Sequence, residues 1–167
     1  MQESLILKGR VRALVSFFML ALAGSGLTAI PLGTELALLN RLAGPGSILG
    51  NWLPGLGAWI GYVHDGLRSA THIFPQVSYG TDWLAFAHIV IAIAFVGLLL
   101  DPVRNCWLIE WGMIACGLVV PWTLALGALR GIPWFWQLVD SSFGVIGLLP
   151  LWLTRRYIQQ LARLTPV

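Results

Sequence analysis

The chain has 167 residues, of which 57% are hydrophobic and 10% charged, with a formal net charge of +3 and a mean hydropathy of +0.80. This composition excludes an ordinary water-soluble domain. It does not point to nucleic acid either, because Lys and Arg sit mainly beside apolar runs, where they orient membrane helices.

The first apolar run, 11–32, follows Lys8, Arg10 and Arg12, and its roughly 20 residues suffice for a span. A basic start, a short apolar core and Ala21-Leu22-Ala23 also describe a secretory signal peptide, so cleavage is the alternative reading. The next segment, 33–82, is roughly 50 residues long, far more than packed helices need for a connection, yet it is too apolar and aromatic to be disordered. Within it, residues 34–42 read as a short interfacial helix with Thr34 as N-cap. Gly44-Pro45-Gly46-Ser47 is a turn signal. Residues 48–63, interrupted by Gly50, Pro54, Gly55, Gly57 and Gly61, read as an interfacial or re-entrant segment.

Residues 83–100 form the most apolar run, with His88 as its one ionisable group. After the turn 101–105, a third span is expected over 106–129, with Glu110 inside one end and Pro121 near the other. A fourth, 134–154, contains Asp140 and ends at Arg155-Arg156, and the tail to Val167 reads as a short helix on the membrane surface. Cys106 and Cys116 are ten residues apart in one span, about 15 Å along a helix, and read as free thiols. The expected fold is thus an all-α membrane protein, a four-span transmembrane helix bundle with a long, partly helical exoplasmic loop, forming one integral membrane domain over 1–167.

With four spans, the N-terminus, the 101–105 turn and the tail share a side that carries Lys8, Arg10, Arg12, Arg104, Arg155, Arg156 and Arg163, against Arg41, Arg68 and Arg130 opposite. By the positive-inside rule both termini are expected in the cytoplasm, and the expected setting is a bacterial plasma (inner) membrane. Counting helix rise from the outer side puts His88 and Asp140 each about 10 Å deep, so the pair is the candidate catalytic or polar site. Above it, His64, Asp65, Arg68, His72, Glu35 and Arg130 are candidate binding residues. No metal and no cofactor are expected. His64 and His72 are eight residues apart, about 12 Å on a continuous helix, and the chain holds no HExxH or Cys-x-x-C. Glu110 reads as structural, paired with Arg104 or Arg155.

Three functions follow, ranked in this order. The first is a non-catalytic subunit, or a small-molecule- or lipid-binding module, of a membrane complex. The second is a membrane enzyme or redox protein acting on a lipid-like or quinone substrate through His88 and Asp140, and the third a small transporter or proton relay. The expected partners are the bilayer and other membrane subunits or further copies of the chain.

Overall fold

Helices account for nearly all of residues 2–164, the part of the chain described by the computed structural model, and no strand occurs among them. The last three residues of the expected surface helix, Thr165, Pro166 and Val167, lie outside the described residues. In chain order the helices are α1 (Gln2–Thr28), α2 (Leu32–Ala43), α3 (Ile48–Trp52), α4 (Pro54–Ile73), α5 (Gln76–Ala94), α6 (Val96–Leu100), α7 (Cys106–Leu129) and α8 (Trp134–Leu164). Three stretches are long and apolar enough to cross a membrane: Gln76–Leu100, Cys106–Leu129 and Trp134–Leu164. A fourth is added if α1 and α2, bent by 89°, are taken as one span.

That bend corrects the first expected span. The helix does not run on to Leu32: α1 ends at Thr28 and the chain turns through residues 29–31. Pro31 has no N–H and crowds the preceding residue out of helical geometry, so apolar character continues where the helix cannot. Thr34 is likewise no N-cap, because its N–H bonds the Pro31 carbonyl at 2.8 Å from inside the first turn of α2.

Three more boundaries differ from expectation. The segment 33–82 is almost wholly helical rather than a partly helical loop. The second apolar helix starts at Gln76, ahead of Trp83, where the Pro75 carbonyl accepts the N–H groups of Ser78 and Tyr79. Finally, α8 continues past Arg155 and Arg156 to Leu164. The third expected span, by contrast, coincides with α7, which runs unbroken through Pro121.

The described chain falls into two units, Met1–Ala21 with Ala92–Val167, and Leu22–Ile91. In the first, α7 and α8 form an antiparallel pair: Gly127 meets Gln137, Thr123 meets Ser141, Gly112 meets Leu151, and Glu110 meets Arg155. Glycines let the two backbones approach; a Cβ at Gly144 would overlap the Cys116 carbonyl oxygen and lie 2.9 Å from Val119. Leu7, Val11 and Val15 recur every fourth residue, placing one face of α1 in the core with Leu151, Ile158 and Leu161. Phe95 is fully buried, its ring 5.0 Å from Phe18 and 6.4 Å from Trp111, and it marks the irregular residue between α5 and α6. Asn105 closes the following turn by donating from Nδ2 to the carbonyls of Gly97 and Asp101, both at 2.9 Å.

In the second unit α2, α3 and α4 meet largely through glycines. Gly57 packs on Gly50, Gly50 on Gly44, and Gly61 on the Pro45 ring, with Ala43 and Ile60 as the buried apolar side chains beside them. Of the glycines expected to interrupt residues 48–63, Gly50, Gly57 and Gly61 are therefore contact surface, Gly55 faces open space, and the chain breaks only at Leu53, ahead of Pro54. Ser47 caps α3, accepting the Gly50 N–H at 2.9 Å, and Gly46 takes the left-handed conformation (φ 81°) that the turn before it requires.

Candidate functional site

His88 lies on α5, half-buried, with its Cβ against the backbone of Gly26 on α1. Its Nδ1 donates to the Leu84 carbonyl at 2.8 Å, one turn earlier on the same helix. A carbonyl can only accept, so Nδ1 carries the proton in this bond and Nε2 is the ring nitrogen left outside it. The histidine therefore has a hydrogen-bond partner inside its own helix, which no count of helix rise could reveal.

Asp140 belongs to the other unit, on α8. It is half-buried and, among the described residues of its own unit, makes no hydrogen bond or ion pair. Its neighbour Ser141 is the better-connected residue. The Ser141 hydroxyl meets Thr123 Oγ1 at 2.7 Å, and Thr123 also bonds the Val120 carbonyl at 3.0 Å, so Ser141 donates to Thr123 and Thr123 to the backbone.

Of the expected binding residues, Glu35, His64, Asp65, Arg68 and His72 belong to the second unit and Arg130 to the first. His64 Nδ1 meets Asp65 Oδ1 at 2.9 Å, with the Asp65 side chain 80% exposed. His64 and His72 stand on one unbroken helix, α4, two turns apart. Arg68, His72, Glu35 and Arg130 are exposed and make no ion pair among the described residues. Glu35 lies in the first turn of α2 and Arg130 at the C-cap of α7, where each charge complements the helix dipole. Among the described residues no group of three or more His, Cys, Asp or Glu side chains is arranged to hold a metal ion.

Glu110 pairs with Arg155: Oε1 accepts from Nη2 at 2.9 Å and from Nε at 3.2 Å. Both side chains are roughly half exposed, at 52% and 40%, so solvent screens the pair. Glu110→Gln or Arg155→Gln is therefore expected to lower stability by less than about 1 kcal/mol, read as a small shift of the melting temperature in detergent. A loss several times larger in either variant would show that the pair carries a structural load its exposure does not imply.

Gln137 and Thr154, not among the expected site residues, carry polar groups into the first unit. Gln137 is 8% exposed, and its Nε2 donates to the Ile132 carbonyl at 2.7 Å, tying the turn after α7 to α8. Thr154 is 1% exposed and bonds the Pro150 carbonyl at 2.7 Å. The available signal was a polar residue on the inward face of an apolar helix, at Gln137, Ser141, Gly144 and Leu151 in three- and four-residue steps and longer repeats of that period. Comparison with known proteins finds no matching family model, no similar curated protein and no similar solved structure.

Proposed function

We propose that this chain is a non-catalytic, four-span protein of a bacterial plasma membrane with both termini cytoplasmic, whose α2–α4 region is an apolar module resting on lipid chains or a neighbouring membrane subunit. The observation that carries this reading is the inversion of α2–α4. Their inner contacts are chiefly glycine, with Ala43, Ile60, Pro45 and Asn40, whereas Leu38, Leu42, Ile48, Leu49, Trp52 and Phe74 are exposed. A water-facing loop would not turn its large apolar side chains outward on this scale. The same holds for α7, whose apolar window is only 11% buried within the protein. In the bilayer such surfaces are satisfied by acyl chains, and the close glycine contacts supply the dispersion attraction that holds the helices together.

A second reading, an enzyme or redox protein acting on a lipid-like or quinone substrate through His88 and Asp140, draws support from His88 Nε2, the ring nitrogen that the bond to Leu84 leaves open to a substrate. The third, a transporter or proton relay, loses Glu110 as a candidate, since that carboxylate is engaged by Arg155.

The membrane reading is tested by alkaline carbonate extraction, which should leave the chain in the pellet, and by cysteine labelling. In a background lacking Cys106 and Cys116, cysteines replacing Ser47 and Ser69 should react with an impermeant thiol reagent in cells with a permeabilised outer membrane, and one replacing Gln160 should not. The reverse pattern would invert the topology. For the apolar module, a nitroxide at Leu49 should be more accessible to oxygen than to a water-soluble nickel complex, and one at Asp65 the opposite. Equal water exposure at both positions would remove the module.

A further inference from the structure

We propose that the first unit holds a site for one phosphate-bearing anion, seated as the headgroup of an anionic lipid, in the cavity between Lys8, Arg12, the turn at 101–103 and Leu161. The cavity has a volume of about 340 Å³ and is lined by these residues and Leu100. It gathers α1, the turn before α7 and the last turns of α8 at one end of the unit.

Lys8 and Arg12 are four residues apart on α1, on one face, so an ammonium and a guanidinium can reach the same anion. Three other cations of the unit are already engaged. Arg155 holds Glu110, the Arg10 guanidinium lies 5.5 Å from the centre of the Tyr157 ring, and that of Arg156 lies 3.9 Å from the centre of the Trp152 ring. Lys8 and Arg12 make no ion pair among the described residues, and both line the cavity. The one carboxylate in the lining, Asp101, accepts the Arg104 N–H at 3.1 Å, so two cations stand against one partly committed anion.

The rest of the wall decides which anion. Leu100, Pro102, Val103 and Leu161 are apolar and offer a free phosphate ion nothing, but they suit the first carbons of an acyl chain or a glycerol backbone. The site also lies where charge gives way to the apolar seam of Val11 and Val15, the depth at which headgroup phosphates sit and at which basic pockets between membrane helices take anionic lipids. The shared chemistry is a phosphate monoester or diester, and the apolar wall assigns it to a lipid. This rests on the membrane reading above.

The test is native mass spectrometry of the full chain released from mixed micelles containing phosphatidylglycerol and phosphatidylcholine in equal amounts. One phosphatidylglycerol should be retained per chain with about thirtyfold preference, the contribution expected of two cations beside an anionic lipid. Lys8→Gln with Arg12→Gln should abolish the preference. Because both residues are exposed, melting should be unchanged, and the charge-keeping pair Lys8→Arg with Arg12→Lys should retain the lipid. Arg68→Gln, in the other unit, should leave it intact. Equal retention of the two lipids, or a preference that survives the double neutralisation, would overturn the site. Displacement of phosphatidylglycerol by millimolar inorganic phosphate would overturn the lipid assignment in favour of a soluble phosphate. Carbonate extraction of the same preparation separates the two failures: release from the pellet defeats the membrane reading, whereas a retained chain without lipid preference defeats this site alone.

Discussion

Gly144→Ala should cost about 1–3 kcal/mol of stability, the usual penalty for forcing an extra carbon into a closed contact. In isolation the substitution favours the helix, because Gly is about 1 kcal/mol worse than Ala in a helix interior. The sign is set by what the new carbon meets. At Gly144 it overlaps the Cys116 carbonyl oxygen and lies 2.9 Å from Val119 Cβ, and a helix backbone oxygen cannot swing aside as a side-chain tip can. The α7–α8 pair would have to spread, and in a bilayer that loses the dispersion contacts holding it together. Gly117→Ala on α7 is the internal control, since nothing lies within 4 Å of a Cβ there. That variant should be neutral or more stable by up to about 1 kcal/mol. Melting of the two variants in the same detergent decides the matter, and similar values for both would refute the packing described for α7 and α8.

Gly57→Ala should loosen the α2–α4 region by a comparable amount, again about 1–3 kcal/mol. A Cβ at Gly57 comes to 2.9 Å from Gly50 Cα, 3.3 Å from the Gly50 carbonyl oxygen and 3.4 Å from that of Ala43. All three are backbone atoms, so relief requires α4 to move from α2 and α3 together. Gly55→Ala, two residues earlier on α4 with open space around it, should be tolerated. Tryptic cleavage at Arg41, in the last turn of α2, should accelerate in the first variant and not in the second. Unchanged cleavage in Gly57→Ala would mean that these helices do not depend on their glycine contacts.

These contacts show where the one-dimensional reading went astray. Between residues 48 and 63 the glycines look like punctuation, because Gly is a poor helix former. Yet Gly57 and Gly61, four residues apart, align on one face of α4 and admit Gly50 and Pro45. The small-xxx-small spacing is a packing signal that helix propensity alone presents as a break. Helix continuity is set by whether a neighbour rewards the close approach, and that neighbour is remote in the chain.

The candidate site was legible in its parts and not in its assembly. That Glu110 needs a cation was foreseeable, and Arg155 was one of two cations within reach; the antiparallel register of α7 and α8 selected it. The ionisable residues His88 and Asp140 stand out in any hydropathy profile. The bond from His88 Nδ1 to Leu84 depends on a side-chain rotamer, and the handoff from Ser141 to Thr123 and on to Val120 depends on two helices meeting face to face. Gln137, buried and bonded to the Ile132 carbonyl, was passed over because one amide in a long apolar run barely alters its mean hydropathy.

By itself the sequence determined the all-helical class, the apolar stretches long enough to cross a membrane, the limits of α7 and the turns at 101–105 and 130–133, because hydropathy runs and proline or glycine punctuation act over a few residues. Pro31 ends α1 locally, but tertiary structure alone decided the 89° angle at which α2 follows, and that α8 runs unbroken to Leu164. It also decided which glycines face another backbone, and that Lys8 and Arg12 share a cavity with the turn before α7 and the end of α8. The physical reason is range: propensity and hydropathy are summed along the chain, whereas close approach, ion pairing and cavity lining depend on residues up to about 150 positions apart meeting at a few ångströms.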